Sequence, residues 1–300
     1  MSSRFFRFSP ATTWLLLCAF ILNGCATTSS TDLPGVTVTE VESFTTVDQT
    51  INALNAQYGA ENVLIVSDID NTVLTSAGDL GGDIWYQWQR GKLNIKPTDS
   101  QKVSCLFEDT ISLLYELGPM KLTEEQLPGL LNNWQNSGNT LLLLTSRAPK
   151  NRSATERELL RNQIDVAAAA LAPISNNNPV YRKKLDREMS YSRGVMMTTG
   201  MNKGTMLKWI LNQTQREFDA IVFVDDSYTN IENMHASWLQ DAIDMRIFHY
   251  THVEAQRIAQ QGSVLTQAQA NQMADDYARL MRTINSTFPA RLNNGECLAR

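Results

Sequence analysis

The sequence predicts an α/β fold built on a central parallel sheet, and three observations carry that expectation. Three apolar runs, at residues 63–66, 140–144 and 220–224, are short and uncharged, as strands covered on both faces are. Each run ends in polar chemistry: Asp68 and Asp70 after the first, Thr145 after the second, Asp225 and Asp226 after the third. Segments with apolar residues at helical spacing lie between them, the alternation expected of a parallel sheet. Open sheets of this kind bind ligands beyond the carboxyl ends of their strands. The polar endings should therefore meet. A chain of 300 residues with a net charge of −5 suits one large domain with an inserted subdomain and argues against a nucleic-acid polymer as partner.

In chain order, residues 1–24 combine a basic start, Arg4 and Arg7, with an apolar stretch from Trp14 to Leu22 that is too short to span a bilayer. They read as a secretory signal. The stretch ends in Leu22-Asn23-Gly24-Cys25, which resembles the lipobox of bacterial lipoproteins. That resemblance implies cleavage before Cys25, lipidation of Cys25, and attachment to the bacterial cell envelope. With Ala26 rather than Asp next, the attachment is expected at the outer membrane, facing the periplasm. Losing two arginines and no acids takes the mature charge from −5 to −7. Residues 25–42, rich in Thr and Ser, then read as the lipidated cysteine and a flexible tether. The globule is expected to begin at Ser43 with a helix carrying Val47, Ile51, Leu54 and Tyr58, ended by Gly59.

After the first strand, Gly78, Gly81 and Gly82 make a flexible exit, and Trp85, Tyr86 and Trp88 crowd together. These rings are either a stacking surface for an aromatic leaving group or the core of an inserted, mainly helical segment at about 76–122. Residues 105–117 look helical. So do 127–135, which Ser137-Gly138 closes before the second strand. Ser146 and Arg147 follow Thr145 and are candidates to touch substrate. Residues 182–187 form a basic cluster, read as a solvated helix face or, more sharply, as a phosphate-attracting rim. Residues 194–199 read as a strand. Lys203 opens a helix carrying Met206, Trp209 and Ile210, although a cation there opposes the helix dipole.

Beyond the third strand, residues 244–250 suggest a further strand. Thr251-His252-Val253-Glu254 has the form of a capping box, and Thr266 to Gln269 repeats it. Ala270, Met273, Tyr277, Leu280 and Ile284 then mark one face of a long helix, within C-terminal helices at about 251–290, expected to pack on the core. Cys105 and Cys297 are the cysteines left after the signal and lipidation. An exported chain permits a disulfide between them. His235, His249 and His252 show no metal-binding spacing.

Taken together, Asp68-x-Asp70-x-Thr72, the strand-end Thr145, the helix-start Lys203 and the Asp225-Asp226 pair resemble the four motifs of the haloacid dehalogenase (HAD) superfamily. The resemblance implies a Rossmann-like three-layer sandwich with a small cap inserted after the first motif. It implies that Asp68 is the nucleophile, Asp70 the acid and base, and Thr145 and Lys203 ligands of the phosphoryl group. Mg²⁺ would be held by Asp68, the Asp70 backbone carbonyl and Asp226, with Asp225 a second ligand or an outer group. The layout is similar to class C acid phosphatases, with two departures: Asn71 where they carry Glu, and Val224-Asp225-Asp226-Ser227 where they carry Gly-Asp-Asn. The implied activity is a hydrolase, a Mg²⁺-dependent phosphatase acting on small phosphorylated substrates. A HAD-derived binding or scaffolding lipoprotein is the alternative.

Overall fold

The computed structural model describes residues 35–175, 178–289 and 297. The signal, Cys25 and the start of the tether lie outside the described residues, as do Asn176 and Asn177. The first half holds β1 (Val36–Val41), α1 (Phe44–Tyr58), β2 (Val63–Ser67), β3 (Leu74–Ser76), α2 (Asp83–Gln89), α3 (Ile111–Leu117), β4 (Met120–Leu122), α4 (Leu127–Ser137), β5 (Thr140–Thr145) and α5 (Arg152–Arg161). The second holds β6 (Tyr181–Lys184), β7 (Glu188–Ser192), β8 (Val195–Met197), α6 (Lys203–Thr214), β9 (Ala220–Asp225), α7 (Tyr228–Trp238), β10 (Asp244–Tyr250), α8 (His252–Gln261) and α9 (Gln267–Thr287).

Among the described residues, eight strands form one sheet in the order β1-β10-β9-β2-β5-β8-β7-β6. Every pairing from β1 to β8 is parallel, and the last two are antiparallel. The three central strands are apolar on both faces because helices cover both. Val63, Ile65, Leu141, Leu143 and Val222 pack with Phe44, Ile51, Leu131 and Leu159 of α1, α4 and α5. Leu64, Val66, Leu142, Leu144 and Phe223 pack with Leu207, Ile210, Ile231 and Met234 of α6 and α7. At about 25 cal/mol per Å² of apolar surface removed from water, these two layers are the main stabilising contribution.

Several expectations need correction. The tether does not run to residue 42. Residues 36–41 pair with β10 as an edge strand, from Val36 opposite Met245 to Val41 opposite Tyr250. Most of that strand is exposed, so its composition resembles a linker, and what orders it is the backbone ladder rather than side-chain burial. The basic cluster is not a helix face. Tyr181–Lys184 and Glu188–Ser192 form a hairpin at the other edge of the sheet, where exposed lysines discourage further strand pairing. Thr251 makes no side-chain cap, while Thr266 and Gln269 form the complete box. In residues 105–117 the first turn is a π-helix, Leu106–Thr110, before α3 proper.

Residues 77–119 leave the sheet through β3 and return through β4, which pair antiparallel. The segment between them builds its own core: Ile84, Trp85, Trp88 and Leu114 bury against Leu265, Ala270 and Met273. The apolar stripe of α9 therefore packs on this segment rather than on the main core. Cys105 and Cys297 form a disulfide that joins the same two regions across 192 residues of sequence. Among the described residues, no helix is long and apolar enough to cross a membrane.

Candidate active site

The carboxyl ends of β2 and β9 are locked together by backbone and side chain. The Asp68 N–H donates to Val224 O at 2.9 Å, and the Asp226 N–H donates to Thr72 Oγ1 at 3.1 Å. The threonine of the first motif is thus a clasp between two loops. This brings Asp68, Asp225 and Asp226 together, with a carboxylate oxygen of each within 4.8 Å of the others.

Lys203 sits among them. Asn202 caps α6 by accepting the Thr205 N–H at 3.0 Å, which leaves Lys203 as the first helical residue. Its side chain is fully buried, and Nζ donates to Asp68 at 2.5 Å and to Asp225 at 2.6 Å. Two carboxylates outweigh the unfavourable dipole at that position. Gly204 lets α6 approach α7 closely, since a Cβ there would lie 2.9 Å from Asn233 O. Burial works against the charge on Lys203, but Asp225 and Asp68 more than offset it and its pKa rises.

The acids of this cluster differ. Asp225 is saturated, accepting from Lys203, from the Ser227 N–H at 2.9 Å and from Asn230 Nδ2 at 3.0 and 3.1 Å. Asn230 therefore orients Asp225. The Asp226 side chain accepts no hydrogen bond among the described residues. Burial first, then Asp83 and Asp225, hold Asp226 well above the usual carboxylate range. Burial likewise raises Asp68 to about 8 against the pull of Lys203. Three clustered carboxylates with one ammonium, all hard oxygen donors and one acid without a donor, fit a divalent cation. Asp68 and Asp226 have oxygens to offer it; Asp225 is committed to Lys203 and Asn230.

On the other side of Asp68 stands a second buried cation. The Arg147 side chain is 2% exposed and grips Asp70 with two hydrogen bonds, Nε to Oδ2 at 2.8 Å and Nη2 to Oδ1 at 2.7 Å. Nη1 donates to Thr155 Oγ1 at 2.9 Å, and the guanidinium lies 4.0 Å over the Tyr115 ring of α3. Arg147 is thus committed to Asp70 rather than free for substrate. Thr145 is buried, and its hydroxyl accepts the Arg147 N–H at 3.1 Å, leaving the hydroxyl proton to donate. Ser146 is exposed on the same loop.

Trp85 and Trp88 do not reach the site. They are 1% and 0% exposed, packed with residues of α9, so of the two readings the core one holds and the stacking surface does not. The first residue of their helix matters instead. Asp83 accepts from Asn71 Nδ2 at 3.2 Å and from Gln87, and burial followed by the charge of Asp70 raises it to about 6. Nothing in its spacing marks it; Gly81-Gly82-Asp83 reads as a turn into a helix. His249 was likewise unmarked, yet its Nε2 lies 3.2 Å from Asp226 O.

The match that places the chain among known proteins is to a single family, over residues 40–290. The chain belongs to the family described as "Protein of unknown function (DUF2608)". The matched stretch takes in every residue of the DUF2608 chain's acidic cluster, from Asp68 to Asp226, and stops short of Cys297. No curated protein matches the chain.

Proposed function

We propose that this protein is a Mg²⁺-dependent phosphomonoesterase of HAD type, lipid-anchored through Cys25 at the periplasmic face of the bacterial outer membrane. The observation that carries the activity is the pairing of Asp68 with Lys203 beside an Asp226 side chain that has no hydrogen-bond donor among the described residues. A scaffold has no use for a partly buried carboxylate crowded against two others, which is costly to keep. A site that receives a cation and a phosphoryl group does.

In this reading an Asp68 oxygen attacks phosphorus and the bond to the ester oxygen breaks. Asp70 gives its proton to the departing alcohol. Asp70 then takes a proton from water, whose oxygen attacks the aspartyl phosphate and frees Asp68 and inorganic phosphate. Arg147 fixes the direction of Asp70: each carboxylate oxygen accepts one hydrogen bond from the guanidinium, and a remaining lone pair on one of them exchanges the proton. Lys203 and the Thr145 hydroxyl offset charge on the phosphoryl oxygens. Asp68, Asp226 and the Asp70 carbonyl would hold Mg²⁺, which would supply the remaining neutralisation. The insertion at about 76–122 would serve as the cap, carried on the β3–β4 stem, with its Asp83 hydrogen-bonded to Asn71 next to Asp70.

The test is phosphate release by the mature protein from a panel of phosphomonoesters, with Mg²⁺, with chelator and with Asp68→Asn. Turnover that both controls abolish is expected. No turnover from any ester would return the protein to the binding or scaffolding alternative.

A further inference from the structure

A cavity of about 250 Å³ opens beside Asp226. Its walls come from three places in the chain: Gln87 and Lys92 from α2 and the turn after it, Tyr228 from the start of α7, and His249 and Glu254 from β10 and α8. The cavity and the carboxylate cluster share Asp226. Asp68 and Asp70 themselves do not line it, but Asn71, the residue after Asp70, does, so an ester whose phosphoryl group meets Asp68 would extend its alcohol portion past Asp70 into this space.

The chemistry of the walls narrows what that alcohol can be. The Lys92 ammonium, the Glu254 carboxylate and the Tyr228 hydroxyl have no hydrogen bond or ion pair among the described residues. Donors and acceptors of both signs therefore face one volume, alongside the apolar Ile84, Leu93, Val253 and Val264. An exposed Lys and Glu are ordinarily just solvated surface. Here they converge, from separate elements, on a cavity that contains a residue of the active site. The rings present are poorly placed for a planar base: Tyr228 and His249 meet edge to face at 5.6 Å, His249 is held at the Asp226 carbonyl, and Tyr250 is buried with its hydroxyl on Glu124. Trp85 and Trp88 are enclosed elsewhere. The volume falls below the about 300–1,000 Å³ of pockets that take drug-sized ligands.

We infer that this cavity is the leaving-group subsite, and that the substrates are phosphate esters of small polyhydroxylated alcohols, the size of a simple sugar, rather than nucleotides. The inference rests on the phosphomonoesterase reading and adds the substrate class to it. Lys92 and Glu254 act as specificity residues, hydrogen-bonding substrate hydroxyls that water would otherwise solvate.

The experiment compares kcat/KM for sugar phosphates, glycerol phosphate, nucleoside monophosphates and an activated aryl phosphate, using the full disulfide-bonded chain, Lys92→Met and Glu254→Gln. Both substituted residues are exposed, and thermal melting confirms that the variants fold. The small hydroxylated esters should exceed the nucleotides by about tenfold or more. Each variant should lower the ratio of hydroxylated ester to aryl ester by about tenfold, mainly through KM. Asp68-dependent turnover that favours nucleotides, or a ratio that neither variant moves, overturns the inference and leaves the phosphatase reading standing. Absence of turnover on every ester, the aryl phosphate included, overturns that reading and the inference with it.

Discussion

Two buried cations stand at the mouth of the sheet, and their surroundings are opposites. Arg147 is matched: one carboxylate, one hydroxyl and one ring take up its guanidinium. Lys203 is outnumbered, touching Asp68 and Asp225 with Asp226 in the same cluster and no further cation in contact. Burying charge is tolerable when it is paired and hydrogen-bonded. The Arg147 cluster meets that condition alone, as a device for orienting Asp70. The Lys203 cluster leaves carboxylate charge that must be neutralised by protons or by a further cation, which is what the proposed metal site asks of it.

The comparison is exposed to experiment at several points. The largest effect is expected at Asp68. Asp68→Asn should cut phosphate release by at least about a thousandfold, while chelator-treated protein melts no lower than the parent, because one of the crowded acids has been neutralised. A large drop in melting temperature would show that the cluster is a structural ion pair after all. Next comes Lys203→Met, which leaves the carboxylates uncompensated. Urea unfolding in chelator should show a loss of about 3–5 kcal/mol, reduced when Mg²⁺ is added. A loss that Mg²⁺ does not touch would separate the cluster from metal binding.

Arg147→Met should act on chemistry more selectively. If Arg147 aims Asp70 at the departing alcohol, kcat for alkyl phosphates should fall by about a hundredfold, and by much less for an aryl phosphate whose leaving group needs no proton. Equal losses on both would place Arg147 in phosphate binding instead. The smallest effect is in pH. Burial raises Asp68 to about 8 from 3.8 and lifts Asp226 in the same direction, so the folded protein holds protons that the unfolded chain releases. Stability from these groups is therefore lost as pH climbs from 3.8 toward about 8. Metal-free protein should melt progressively lower across that window, and Mg²⁺ should raise the melting temperature most at its upper end, where the carboxylates are ionised. Calorimetry across pH with and without Mg²⁺ checks both slopes.

What could be read in advance follows from how each element is stabilised. β2, β5 and β9 are buried on both faces, so their residues must be apolar, and the polar residues that follow stand out against them. That contrast located Asp68, Asp70, Thr145, Asp225 and Asp226. The edge strands β1 and β6 bury far less of themselves and are ordered largely by backbone hydrogen bonds that any sequence can make; composition misread them as tether and helix face. The two readings left open for Trp85 and Trp88 have a different cause. Aromatic rings suit a core and a binding surface equally well, and which they serve depends on whether another element covers them. Here α9 does.

The sequence by itself determined the parallel core, the order of its acidic and hydroxyl strand ends, the helix-start lysine and the pair of cysteines, because spacing and polarity along the chain encode them. Only the tertiary structure decided that Asp225 is saturated and Asp226 is not, that Arg147 holds Asp70, that Asp83 comes up beside them from the inserted segment, and that the tryptophans face away. Those distinctions depend on which donors stand within about 3 Å of each carboxylate, and contacts between residues 77 or 154 positions apart leave no periodic trace in the sequence.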